Sequence, residues 1–362
     1  MVKYKFFISI FLFSIIASFN CINPENYMIE NYYSNNLYQI ISDKLRFFLG
    51  WINLPIGDII YLFSLAALLY FIIVNIKKPK ILALNLSILL FSFVILFYTL
   101  WGFNYKRISI KNHLNIDVKF EKKELIAFTE NLIKDINKLH IDLFYSESVE
   151  PKNKYSFEEI VQLSKNNPKS LKFIFEKEFI IPDYKSISVK KSLFSLPLTY
   201  MGFSGYINPF TNEANINYKI PSSSLIFVIN HEIAHQLGIA SEKDANFIAY
   251  LMLVNNENDY FKFCGYSYAL KLCLNEILKI DSDKYEYLIR KVNKGIIKDF
   301  KETAIFWKKY EGKIEDVSKN LYDKYLKQND IDSGIKNYNE SISLILGYNK
   351  KLNDKKNNKF RK

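Results

Sequence analysis

Three apolar runs in the first hundred residues constrain the fold more than any other feature of this chain. They cover residues 6–19, 59–76 and 81–103. The second and third match the roughly 20 residues needed to cross a bilayer core as a helix, the form in which one segment satisfies all its own backbone groups. The first run follows Lys3 and Lys5 and fits either a signal peptide or a short first span. Trp51 precedes the second run, and Tyr98, Trp101 and Phe103 close the third as an interfacial aromatic belt. Asn85 and Ser87 are polar insertions in the third that a helix bundle tolerates. The short turn at Lys77-Lys78-Pro79-Lys80 packs the second and third runs antiparallel.

Basic flanks orient such a bundle. Lys3 and Lys5 favour a cytoplasmic N-terminus, and Lys77, Lys78 and Lys80 favour a cytoplasmic turn. Both hold if the chain crosses out, in and out again. The loop from Asn20 to Trp51 and everything after Asn104 then lie outside.

From Asn104 onward the composition is that of a water-soluble domain. Leu125, Phe128, Leu132 and Ile136 mark an amphipathic helix over residues 120–139. Residues 157–165, 170–179, 259–280, 285–307, 315–327 and 335–346 read as further helices. Residues 186–189 alternate as a strand does, and residues 202–218 read as a turn-rich loop followed by a strand over 214–218. The expected organisation is a membrane region over residues 1–103, a hydrolase domain over 104–348 and a basic, disordered tail over 349–362.

The net charge is +12, and the last thirteen residues supply half of it, with seven basic side chains against Asp354. Anionic membrane lipid is a partner for such a tail. No zinc-finger or aromatic-basic pattern argues for nucleic acid. Cys21, Cys264 and Cys273 show no C-x-x-C spacing. Cys264 and Cys273 on one helix would stand about 13 Å apart, too far for a disulfide unless Gly265 interrupts it.

The chemistry is concentrated in His231-Glu232-Ile233-Ala234-His235, an H-E-x-x-H motif. On a helix, positions i and i+4 share a face, so both imidazoles can meet one zinc ion. Glu232 then stands where a carboxylate can take a proton from a water polarised by that ion. Pro221 and Ser222 to Ser224 signal a helix start, Gly238 a stop, and Ser241 the cap of a second helix over residues 242–255. A hydrolytic zinc site needs a third protein ligand and an open position. His113 and His140 are far upstream, so the candidates are Glu242 and Asp244. Only residues 225–229 are continuously apolar before the motif, so the site lies outside the membrane.

Glu242-Lys243-Asp244-Ala245-Asn246 resembles the E-x-x-A-D string of glutamate-zincin peptidases, which implies Glu242 as the third ligand. Asn246 replaces the aspartate of that string; its amide oxygen can still accept from a ligand histidine. The chain as a whole resembles an uncharacterised family of bacterial membrane proteins with three N-terminal spans and an H-E-x-x-H neutral zinc metallopeptidase motif. The residues that carry this include Phe48-Leu49-Gly50-Trp51, Leu100-Trp101-Gly102-Phe103-Asn104-Tyr105, Gly205 to Ala214, and Gly334 to Tyr338.

The resemblance implies a multi-pass protein of the bacterial cytoplasmic membrane. Its three helical spans would be joined to a mostly helical, α+β zincin-like domain on the extracytoplasmic side. The expected activity is zinc-dependent hydrolysis of a peptide or protein substrate. His231, His235 and Glu242 would hold the ion, with Glu232 as general base and Tyr206 in the cleft wall as second electrophile. A binding or assembly protein with a structural or vestigial zinc site, and a zinc hydrolase acting on a non-protein amide, are the alternatives.

Overall fold

The computed structural model describes residues 2–19, 21–175, 184–329 and 340–359. Helix α1 (Val2–Phe19) is followed by a π-helical segment (Ile29–Leu37), α2 (Tyr38–Leu49), α3 (Ile56–Asn75) and α4 (Pro79–Leu100). Then come a 3₁₀ turn (Gly102–Lys106), α5 (Ile110–His113), α6 (Lys122–Phe144), α7 (Phe157–Ser164) and α8 (Asn167–Ser170). Strand β1 (Val189–Lys191) and α9 (Ser195–Met201) precede the hairpin β2 (Gly205–Ile207) and β3 (Ala214–Ile216). The rest is helical: α10 (Ser222–Gln236), α11 (Glu242–Val254), α12 (Asp259–Ile280), α13 (Ser282–Ile289), α14 (Lys294–Lys308), α15 (Lys313–Gln328) and α16 (Ser341–Lys359).

Helices α1, α3 and α4 are, among the described residues, long and apolar enough to cross a membrane. The first and third run parallel. Lys5 Nζ donates to Asn85 Oδ1 at 2.6 Å, Ser9 and Ser87 share a hydrogen bond at 2.8 Å, and Phe13 packs on Phe91. The two polar insertions of the third run, Asn85 and Ser87, are therefore the partners of Lys5 and Ser9 of α1.

The remaining helices enclose a core to which α6 contributes Leu125, Leu132 and Ile136, α10 Ile226, Ile229 and Ile233, and α11 Phe247 and Ile248; α12 packs against α6, α10 and α11. Cys264 and Cys273 are free and buried on the single helix α12, which Gly265 does not interrupt. A Cβ at Gly265 would stand 2.9 Å from Leu253 Cβ, so its bareness lets α11 and α12 approach. Among the described residues, the sheet has order β1-β3-β2, with β1 parallel and β2 antiparallel to β3.

Several expectations change. The first strand lies at Val189–Lys191 instead of 186–189, and residues 202–218 hold two strands where one is expected. The helix expected over 285–307 is split at Arg290–Asn293, where the Asn293 amide binds the Asn137 carbonyl and His140. Helix α16 continues through the basic tail to Lys359; where the tail starts, Lys350 pairs with Glu124 at 3.0 Å and Lys351 Nζ donates to the Leu114 carbonyl. The resemblance at Gly334 to Tyr338 and parts of the expected helices 170–179 and 335–346 fall outside the described residues.

The expected boundary at residue 103 cuts through buried polar contacts. Glu30 accepts from Arg107 Nη2 at 2.7 Å, Arg107 Nε at 3.1 Å and the Ile108 N–H at 3.1 Å. Arg46 donates to the Ser186 carbonyl and to Asn212 Oδ1. Asp58, in the first turn of α3, accepts from Ser192 Oγ and the Leu193 N–H. Glu213 accepts from the Ile56 and Gly57 N–H groups, a carboxylate cap on the N-terminus of α3.

Two outcomes follow from these contacts. Residues 104–362 alone should fail to show a cooperative unfolding transition, whereas the full chain in mild detergent should show one; a sharp transition in the fragment would refute this. Burial pushes the Glu30 carboxyl up, but the Arg107 charge and hydrogen bonds from His113 and Arg107 outweigh it, holding the group at about 2 instead of 4.5. A depressed folded value means stability that is present above pH 4.5 and lost as pH falls toward 2. Glu30→Gln should therefore cost about 3 kcal/mol at neutral pH, and this deficit should shrink across that window in denaturant titrations. A pH-independent deficit would remove the ion pair as its cause.

Candidate metal centre

Helix α10 forms because its apolar positions recur at helical spacing. Ile226, Ile229 and Ile233 are fully buried on one face. Asn230 sits among them with its polar atoms satisfied: Nδ2 donates to the Ile226 carbonyl at 2.8 Å, and Oδ1 accepts from Asn167 at 2.7 Å. His231 and His235 lie one turn apart on the face toward α11, with ring centroids 4.6 Å apart.

What ends the helix also builds the site. Gly238 has φ +85°, and a Cβ there would stand 2.9 Å from Tyr38 Cε1, so both backbone and space require glycine. The turn returns the Ile239 carbonyl to His235 Nδ1 at 2.6 Å. A carbonyl only accepts, so in the neutral ring Nδ1 carries the hydrogen and Nε2 presents a lone pair. The chain then enters α11 with Glu242 in its first turn.

Three ligand-type atoms converge there. His231 Nε2 stands 3.1 Å from His235 Nε2 and 3.2 Å from Glu242 Oε2, and His235 Nε2 stands 3.7 Å from the same oxygen. Ligands of a tetrahedral zinc, with bonds of about 2.0–2.1 Å, stand about 3.3 Å from one another. The donor set of two imidazoles and a carboxylate suits zinc. Among the described residues this is the group of three or more His, Cys, Asp or Glu side chains that can hold an ion. Glu242 Oε2 and Glu232 Oε2 are buried without a hydrogen-bond partner.

The charges are interdependent. Burial opposes the cationic form of His235, but the charges of Glu242 and Glu232 outweigh it and push the ring up to about 9. Burial likewise opposes the Glu242 carboxylate, but the two histidines hold it well below its ordinary range. Burial dominates at Glu232 and raises it. Strand β2 runs beside this carboxylate: a Cβ at Gly205 would stand 2.7 Å from Glu232 Oε1.

Not every expected side chain arrives. Asp244 is directed to Ser241 and the Ile110 N–H, and burial pushes it up to about 6. Asn246 lines a cavity beside His231, but the role expected for it falls to the Ile239 carbonyl, and His231 Nδ1 has no hydrogen-bond partner. His113 binds Glu30, and His140 binds the Val149 carbonyl and Asn293. Tyr206 lines the smaller cavity together with His231 and Glu232, while its hydroxyl donates to Asp58. A tyrosine that sequence reasoning missed, Tyr322 of α15, donates its hydroxyl to Glu242 Oε1. It is one of 26 tyrosines, some ninety residues after the motif, and no sequence signal distinguishes it.

Two cavities meet at the cluster. One of about 480 Å³ is lined by His231, Glu232, Lys271, Asp299, Trp307 and Tyr322, among others. The other, of about 230 Å³, is bounded by the three ligand-type residues, Glu232, and aromatic side chains from the end of α4. No curated protein and no solved structure matches the chain. A family described as "Protein of unknown function (DUF3810)" matches residues 33–346, from the π-helical segment to α16. The chain therefore belongs to the DUF3810 family.

Proposed function

We propose that this protein is a membrane-anchored zinc-dependent peptidase of zincin-like architecture. The observation that carries the reading is the convergence of His231 Nε2, His235 Nε2 and Glu242 Oε2 beside a buried, unpartnered Glu232 carboxylate. Those three residues would hold a zinc ion, which when bound would supply Lewis-acid polarisation of a carbonyl and acidify water. Glu232 takes a proton at its free Oε2 from the water that attacks the peptide carbonyl, and returns it to the amine as the C–N bond breaks. Tyr322 holds the Glu242 carboxylate so that Oε2 stays on the histidine nitrogens.

A structural zinc site needs a fourth protein ligand, and the group comprises only three such residues among the described residues. This favours hydrolysis over a binding or assembly role. Peptide is favoured over another amide because β2 is an edge strand beside Glu232, and an extended chain can pair with its free backbone groups. The parallel run of α1 and α4 puts Lys3 and Lys5 on the same side as Lys77, Lys78 and Lys80. We place that side in the cytoplasm and the centre outside it, in the bacterial cytoplasmic membrane.

The full chain in detergent should bind one zinc per molecule and hydrolyse peptides. Glu232→Gln should keep the metal and lose at least about 100-fold in kcat; undiminished turnover in that variant would sink the mechanism. Tyr322→Phe should lower metal affinity or kcat by about 10- to 100-fold, with no such loss in metal affinity for Tyr206→Phe. The reverse pattern would restore Tyr206 to the centre.

A further inference from the structure

We propose that the substrate is the membrane-proximal stretch of a bilayer-anchored polypeptide, cut within about six residues of its apolar anchor. This rests on the peptidase reading above and names its substrate class.

The hairpin that carries the edge strand is planted in the membrane region. Phe210, at its tip, packs on Phe93 of α4 at 4.8 Å between ring centroids and on Tyr61 of α3 at 6.3 Å. Phe93 lies seven residues before the end of α4, about 10 Å along the helix axis. The hairpin tip thus reaches below the outer end of that span. At its other end, β2 brings Gly205 against Glu232. The edge strand therefore leads from the base to the bilayer, and a chain paired along it follows the same line. Gly205 at the cluster and Phe210 at the apolar helices are five residues apart, so at about 3.3 Å per extended residue about five residues of a paired chain cover the same line.

A second observation agrees. Trp101, the residue after α4, lies 6.3 Å from His235 between ring centroids. The smaller cavity is walled by Phe97, Trp101, Ile207 and Pro209 together with the ligand-type residues. The centre thus stands at the level of the headgroup layer, which is about 5–8 Å deep on each side of the core. Around the outer end of α3, Trp51, Leu54, Leu193 and Leu196 are exposed, as suits side chains that contact lipid. On the side of the smaller cavity, a segment leaving the membrane is already in this layer and meets Glu232 without crossing the domain.

The test uses the full chain in liposomes with one fluorogenic peptide presented three ways. It is joined to a transmembrane anchor directly, joined to the same anchor through a long flexible linker, or left free. Both anchored forms share the same surface concentration, so their difference reports reach alone. The directly anchored form should be cut at least ten-fold faster than the long-linker form. Equal or faster cutting of the long-linker or free form would overturn the proposal. In the Glu232→Gln chain, a photoreactive residue in the directly anchored peptide should crosslink to β2 or the end of α4, and the same residue behind the long linker should not. Absence of hydrolysis with this crosslinking preference kept would remove the peptidase reading and leave the ligand class standing. Crosslinking without preference would remove the proposal.

Discussion

The C-terminal end of α10 is the constraint on which the rest of the structure depends. A helix leaves its last carbonyls without intrahelical donors and carries partial negative charge at that end. Here the end is buried, and the donors come from distant parts of the chain. Tyr38 donates to the Gln236 carbonyl at 3.1 Å, Gln39 to Leu237 at 3.2 Å, and Arg107 to Gly238 at 2.9 Å. Arg46 reaches the Gln236 carbonyl as well. Two cations and two neutral donors thus hold the end that also carries His235.

Those donors need their own support. Arg107 is neutralised by Glu30, and Arg46 is fixed by Asn212, whose amide also donates to Tyr38 at 2.9 Å. The Gln236 side chain closes the circuit by donating to the Ser188 and Asn212 carbonyls beside β1 and β3. The π-helical segment, α2, the sheet and the motif helix therefore form one polar assembly. Its loss in part leaves buried groups unpaired, which is costlier than never having had them.

The same assembly explains why the centre and the membrane region are close neighbours. Tyr33, Tyr38, Trp101 and Ala240 form a second apolar cluster, joined by Phe97 and Ile207. It links the π-helical segment, the end of α4, the edge strand and the turn after Gly238. Together with Phe210 between α3 and α4, this fixes where the cluster stands relative to those apolar helices.

The sequence by itself determined the features that are local. Length and apolarity marked α1, α3 and α4, and the spacing of His231, Glu232 and His235 required a helix to have chemical meaning. Gly238 marked the turn, and Glu242 stood in the first turn of the next helix. These are short-range facts, because helix periodicity and turn chemistry act over a few residues. Tertiary structure decided the rest. It brought Tyr322 to Glu242 and turned Tyr206 to Asp58. It paired Lys5 and Ser9 with Asn85 and Ser87, and joined residues 30–58 to the domain expected to begin at residue 104. Each of these links groups many residues apart, and no periodicity encodes such a pairing. It is fixed by which buried donors find acceptors once the core has closed.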